Sequence, residues 1–273
     1  MDEVKLAALR RARYPLAVLK LSGEAAVARY MQFIHYTVFG LACLRNMNFV
    51  TQPSVELYKE IAAEIDKQAR RKGGIEQTRA WKAFAESDRR IQWRGGLSVS
   101  FDSLEALGLL EDADLQAENG NAAAVYARVL ERLAGQGRVR YGELTFFGDT
   151  RYHEAGRRLL RVLDSAAEAV FRSRMKMAAD VYEGPAMNHS CHEMIIGYGR
   201  AFSTVLLAEK QASIKRVGYT ADYHRAQWLA TQHALRRRGR AVVGMTVRDL
   251  SESSRRTVKE FFSEVARRLP KRH

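Results

Sequence analysis

The 273-residue sequence has little cysteine, little proline and no long hydrophobic run, and each shortage excludes a class of protein. Its two cysteines, Cys43 and Cys191, cannot form a disulfide scaffold, which favours a reducing compartment. Its most apolar stretch, Met31–Leu44, is shorter than the roughly 20 residues that cross a bilayer, so we expect a buried helix there.

Charge is the second unusual feature of the composition. The chain carries 45 Lys and Arg against 31 Asp and Glu, a formal net charge of +14 at neutral pH. An apolar content of 47% is normal for a folded protein and excludes a disordered basic tail. The segment Cys191–His273 alone holds 17 basic and 7 acidic side chains. Such a protein usually meets an acidic partner, and we expect its C-terminal part to face that partner.

Helical patterning dominates the sequence between the four prolines. Apolar residues recur at spacings of three and four, and the alternating run Leu97–Phe101 fits either a short strand or a loop. The βαβ alternation of a large parallel sheet is not apparent. We therefore predict an all-α fold of stacked antiparallel helical hairpins. A helical region covers 1–120, and basic helical repeats with a C-terminal helix cover 121–273. The predicted helices are 25–44, 55–71, 78–90, 104–110, 122–135, 152–177, 191–217, 223–238 and 254–269.

One segment, Cys191–Asp222, has the features of a repeat unit. It combines an apolar first helix containing Tyr198, an apolar second helix, the closing Gly218 and a terminal aspartate. In this order the features resemble a pentatricopeptide repeat, and Tyr126–Val139 is similar to the first helix of such a unit. The resemblance implies a short, irregular α-solenoid whose first helices line an RNA-binding face. It also implies a mitochondrial setting, in a ribosome subunit or a ribosome assembly factor.

The candidate RNA-binding residues come from two arguments. The resemblance implies that His192 and Asp222 are the base-reading positions of the best-matching unit. The density of positive charge, greatest at Arg236–Arg240, predicts contacts to phosphates. Together they give this set of candidates: Arg138, Arg140, His192, Asp222, Arg236, Arg237, Arg238, Arg240, Arg255, Arg256 and Lys259.

No group of residues in the sequence indicates catalysis. His189, Cys191 and His192 lie close together, but no second cysteine follows at metal-ligand spacing. Gly197 and Gly199 lack the third glycine of a dinucleotide fingerprint. We therefore predict a non-enzymatic RNA-binding subunit of a mitochondrial ribonucleoprotein. Its partners would be RNA, in particular rRNA, and neighbouring proteins, with no cofactor, metal or small-molecule substrate.

Two alternatives remain open. One is a nucleic-acid-binding helical subunit of a bacterial or plasmid-encoded complex. The other is a scaffold subunit of a membrane complex, whose basic face would meet lipid headgroups.

Overall fold

The structure, a computed structural model, describes residues 6–7, 10–11, 16–46, 53–184, 195–214, 216 and 218–271. The chain divides into two compact units, Met1–Thr51 and Gln52–His273. The predicted boundary at residue 120 falls inside the second unit. There, strands from before and after that residue join one sheet.

The first unit contains helix α1, Ala26–Leu44, as the sequence predicts. The expectation that this helix is buried is wrong, because Met31, Phe33 and Leu41 are exposed. The helix has apolar side chains on all of its sides. The described part of this unit holds no other long element that could cover them. Among the described residues, no helix combines the length and the apolar character needed to cross a bilayer.

The second unit is built around a mixed six-stranded sheet of described residues, so the predicted all-α solenoid is wrong. The strands stand in the order β1-β2-β6-β5-β3-β4. Strands β3, β4, β5 and β6 are parallel, and β1 and β2 complete the sheet as an antiparallel edge. Their bounds are β1 Arg90–Gln92, β2 Ser98–Ser100, β3 Tyr141–Phe147, β4 Ala178–Gly184, β5 Ala201–Lys210 and β6 Ala241–Asp249.

Helices flank the sheet on both faces. Several predicted helices are confirmed with small changes of boundary, most closely α6 at 122–135. A π-helical segment, Glu168–Arg174, extends α7. The helices of the second unit are α2 Pro53–Lys72, α3 Arg79–Ala85, α4 Asp102–Ala106, α5 Asp112–Leu115, α6 Ala122–Gly135, α7 Glu154–Ala167, α8 Ala221–Arg237 and α9 Glu252–Arg268.

The supposed repeat unit Cys191–Asp222 does not form a helical hairpin. Its second predicted helix is strand β5, and Asp222 lies in the first turn of α8 rather than at the end of a repeat. The reason is burial on both faces: every residue from Ala201 to Ala208 is buried, and Val205–Ala208 is a continuous apolar run. A run of this kind has no alternation, so its pattern does not distinguish a strand from a buried helix.

Two hydrophobic cores hold the layers together. On one face, Leu144 and Phe146 of β3 pack with α6, α7 and α9. On the other face, Val205 of β5 packs with α2 and α8. The indole Nε1 of Trp228 in α8 donates a hydrogen bond to the Val205 carbonyl at 2.8 Å. Helix α7 therefore returns from β3 on one face and α8 returns from β5 on the other, which makes the parallel part of the sheet doubly wound.

Candidate nucleic-acid interface

The parallel strands all begin at one edge of the sheet, which we call the amino edge. A basic residue stands directly before β3, β5 and β6, and Lys176 stands two positions before β4. Because neighbouring strands lie about 4.8 Å apart, the four strand starts extend over about 14 Å. We define the amino-edge surface by the basic residues before these strands: Arg138, Arg140, Arg174, Lys176, Arg200, Arg237, Arg238 and Arg240.

The local sequence explains how two of these junctions form. Helix α6 closes with Gly137 at φ 70, and α8 closes with Gly239 at the same φ. In both places the following arginine donates its backbone N–H back to the helix, Arg138 to the Leu133 carbonyl and Arg240 to the Leu235 carbonyl. This is a Schellman-type helix end that favours glycine, and cations are stabilised there by the negative end of the helix dipole.

Backbone and side-chain contacts connect the strand starts. The N–H of Arg140 donates to the carbonyl of Arg200 at 2.8 Å, which joins the beginnings of β3 and β5. The guanidinium of Arg240 donates to the carbonyls of Ile196 and Gly197, the second at 3.4 Å. Arg240 therefore anchors the segment before β5. The other basic side chains supply positive charge that can meet a ligand.

The positive charge of the amino-edge surface is not neutralised by nearby carboxylates of the described residues. Arg138, Arg140, Arg200, Arg237 and Arg238 are exposed. Within the part of the chain that the structure describes, no carboxylate oxygen lies within 4.0 Å of any basic group of the amino-edge surface. Unpaired cations at this density favour binding of a polyanion, which releases the counterions that otherwise surround them.

A cleft of about 300 Å³ opens in this surface at the starts of β3, β5 and β6. Its lining residues include three glycines, Gly137, Gly199 and Gly239, together with Arg138 and Arg200. A Cβ at Gly199 would lie 3.1 Å from Nη1 of Arg240, so a glycine lets the anchoring guanidinium pass. No acidic residue lines this cleft among the described residues, which suits it to an anionic group.

An exposed aromatic ring adjoins the cations. Tyr198 is 45% exposed and packs edge-to-face against Tyr141, with ring centroids 6.3 Å apart. The hydroxyl of Tyr141 donates to Asp180 at 2.6 Å, and burial together with this bond raises the pKa of Tyr141. The carboxylate of Asp180 is thus engaged by Tyr141. The Tyr198 ring offers a face on which an unpaired base can stack.

The structure brings five of the predicted residues together at the amino edge: Arg138, Arg140, Arg237, Arg238 and Arg240. Arg236 instead lines a separate cleft that also contains Asp102 and His233. The burial of His233 lowers its pKa to about 4, so this ring adds no charge at neutral pH.

The other predicted residues lie elsewhere. Asp222 lies at the opposite edge, where α8 begins, and pairs with Arg225 at 3.2 Å. The base-reading role that the resemblance implies for Asp222 loses its setting, because no helical repeat surrounds it. On α9, Arg255 donates to the Leu250 carbonyl, Arg256 faces Glu260 at 3.7 Å, and Lys259 is exposed.

His192 lies outside the described residues. The described residues contain no group of three His, Cys, Asp or Glu side chains that could hold a metal ion.

Sequence reasoning missed three basic residues of this surface, Arg174, Lys176 and Arg200. The available signal was a basic residue directly before each apolar run. This signal indicates a common basic surface only when the apolar runs are strands that begin side by side.

Comparison with known proteins adds little to these observations. No protein-family model matches the chain, and no curated protein matches it either. One similar solved structure is that of hypothetical protein TT0462 from Thermus thermophilus, with 12% sequence identity and a TM-score of 0.36. The match covers 59% of this chain and 44% of that protein, so the chain spans less than half of its length.

Proposed function

We propose that this protein binds nucleic acid, and RNA in particular, through the amino-edge surface. The observation that carries the proposal is the row of basic side chains before four parallel strands, with no carboxylate partner among the described residues. Phosphate contacts of this kind supply affinity and register but no sequence reading. We therefore expect binding that depends strongly on salt and weakly on sequence.

The form of the surface favours single-stranded RNA over duplex DNA. The basic residues come from short loops and helix ends, and they do not belong to a helix that projects toward a major groove. Direct reading of duplex DNA commonly uses such a projecting helix. The exposed Tyr198 beside Arg200 provides a stacking position that an unpaired base can use.

The proposal of RNA binding does not include the assignment to a mitochondrial particle. The assignment to a mitochondrial ribonucleoprotein rested on the helical-repeat resemblance, and the sheet removes the architecture on which that resemblance depends. RNA binding rests on the charge distribution and does not need the repeat.

The test compares two triple variants with the same loss of charge. In the first, Arg138→Gln, Arg140→Gln and Arg200→Gln remove three exposed, unpaired cations from the amino edge. In the matched control, Arg70→Gln, Arg158→Gln and Arg161→Gln remove three exposed arginines that each face a carboxylate. Binding of a fluorescently labelled single-stranded RNA is measured by anisotropy over a series of salt concentrations.

We expect the amino-edge variant to reduce the slope of log affinity against log salt by about 2, because each lost phosphate contact removes about 0.7. The control should keep the parent slope. Equal losses in both variants would show that only total charge matters and would contradict the proposal. Absence of RNA binding by the parent would also contradict it and would favour the membrane-scaffold alternative.

A further inference from the structure

The opposite edge of the sheet, where the parallel strands end, contains a second cleft. Strand order reverses between β3 and β5, and the helices that follow these two strands lie on opposite faces. In a doubly wound sheet this reversal leaves a crevice outside the carboxyl ends of the strands. We call it the carboxyl-edge crevice. Its volume is about 270 Å³, and its lining residues include Asp149, His153, Lys210, Gln211 and Leu250.

The first wall of the crevice is a tightly held loop between β3 and α7. The Asp149 carboxylate accepts the backbone N–H groups of Arg151 and Tyr152, at 3.0 and 3.1 Å. Its second oxygen lies 2.6 Å from Nδ1 of His153. Burial acts to raise the pKa of Asp149, but the bonds from Tyr152, His153 and Arg151 outweigh it and lower the pKa.

Close packing fixes this loop further. A Cβ at Gly156 would overlap the carbonyl oxygen of Asp149, so α7 lies directly against the loop. The Asp149 carboxylate also occupies the loop N–H groups that a ligand phosphate often uses in doubly wound folds. A ligand in this crevice must therefore bind to side chains. The half-exposed His153, oriented by Asp149, offers its outer ring nitrogen.

The second wall and the interior behind it hold buried polar atoms without partners. Gln211 donates its amide to the carbonyls of Phe147 and Ala208, at 3.2 and 3.1 Å. Its Oε1 is buried and has no hydrogen-bond partner among the described residues.

His224, in the first turn of α8, is fully buried, and both of its ring nitrogens likewise lack partners. It lies near enough to Asp149 for that carboxylate to oppose, in part, the burial that lowers the His224 pKa to about 4. Buried polar atoms without partners cost free energy, so the unpartnered Oε1 of the lining residue Gln211 indicates a ligand in the crevice.

The chemistry of the lining indicates the class of ligand. Lys210 contributes a cation that has no carboxylate partner in the described part of the chain, and His153 contributes a hydrogen-bonding nitrogen beside it. Gln211 Oε1 needs a donor, and Leu250 with two alanines forms an apolar wall. Together these residues fit a ligand that combines an acid group, a hydrogen-bond donor and a small apolar group.

We propose that the carboxyl-edge crevice binds a small organic anion, a carboxylate or a phosphate ester, whose acid group lies between Lys210 and His153. This departs from the sequence-based expectation of no small-molecule substrate. It does not depend on RNA binding, because the two sites lie at opposite edges of the sheet.

The test uses phenyl phosphate and benzoate as probes and benzyl alcohol as the neutral control, with the full chain in a calorimeter. We expect both anions to bind and the alcohol to bind at least about tenfold more weakly, the effect of losing one charged hydrogen bond. Lys210→Gln and His153→Gln should each weaken phenyl phosphate binding about tenfold. Ala212→Trp, at an exposed lining position, should block the crevice without changing any charge.

Arg70→Gln on α2, whose guanidinium faces Asp66 at 2.8 Å, is the matched control and should leave probe binding unchanged. Saturating single-stranded RNA should not displace the probe, so a failure of RNA binding and a failure of this site are distinguishable. The proposal is overturned if neither anion binds at a concentration of about 10 mM. It is also overturned if Arg70→Gln abolishes binding while Lys210→Gln does not.

Discussion

The titration of Glu143 reports on the interior of the sheet, because this acidic residue is only 1% exposed. It lies in β3, where its Oε1 accepts a hydrogen bond from Thr145. Its Oε2 has no partner among the described residues. Burial raises the pKa of Glu143 to about 8, and the neighbouring Ser203 opposes the shift in part.

The size of the effect follows from the two protonation states. The unfolded chain loses this proton near the ordinary pKa of 4.5, whereas the folded chain keeps it up to about 8. Between these values the folded state holds the extra proton, so stability falls as the pH rises, by about 1.4 kcal/mol per unit. The accumulated loss reaches about 3–5 kcal/mol near pH 8 and grows no further above the folded pKa.

The substitution Glu143→Gln keeps the shape of the side chain and removes its charge. We expect parent and variant to have similar free energies of unfolding at pH 5. At pH 8 the variant should be more stable by about 3–5 kcal/mol. Urea unfolding followed by the fluorescence of the buried Trp228 measures both values. The exposed Glu86→Gln is the control and should change nothing at either pH. A difference between parent and Glu143→Gln that stays constant from pH 5 to 8 would refute the reasoning.

Two further predictions concern stability. Arg132→Met should lower the free energy of unfolding by about 3–5 kcal/mol, because it leaves the buried Asp114 without its main partner at 2.5 Å. Arg128→Met, which removes a more exposed partner at 3.4 Å, should cost less than about 1 kcal/mol; equal losses would argue against this ranking. Gly156→Ala should cost about 1–3 kcal/mol in thermal unfolding, because its Cβ would overlap the backbone of Asp149. Gly197→Ala has open space and should be tolerated, and a stable Gly156→Ala would show that α7 can move away from the loop.

Helices with one buried face were predictable from periodicity. Helix α6 begins after the capping side chain of Asn121 and matches its predicted range of 122–135. Helix α9, predicted at 254–269, forms at Glu252–Arg268, with Val258, Phe261 and Val265 buried along one side. In such helices the apolar stripe shows which side of the helix faces the core, so the sequence of the helix alone is enough to predict it.

The parallel strands were not predictable in the same way. Strand β6, Ala241–Asp249, is buried on both faces along most of its length, as β5 is. Its sequence has neither strict alternation nor a helical stripe, so local pattern alone does not assign it. The pairing of β5 with β6 joins residues that lie far apart in sequence, such as Phe202 with Ala241. This hydrogen bonding between distant segments is what makes both segments strands.

The sequence alone established that the chain is basic and where several one-faced helices lie, and it led us to expect a phosphate-bearing partner. These are local or additive properties, so no contact between distant residues is needed to see them. Parallel hydrogen bonding placed Arg140 beside Arg200, and strand reversal placed Gln211 beside Asp149. Tertiary structure alone assembled both candidate sites, because each combines the ends of strands that lie far apart in sequence.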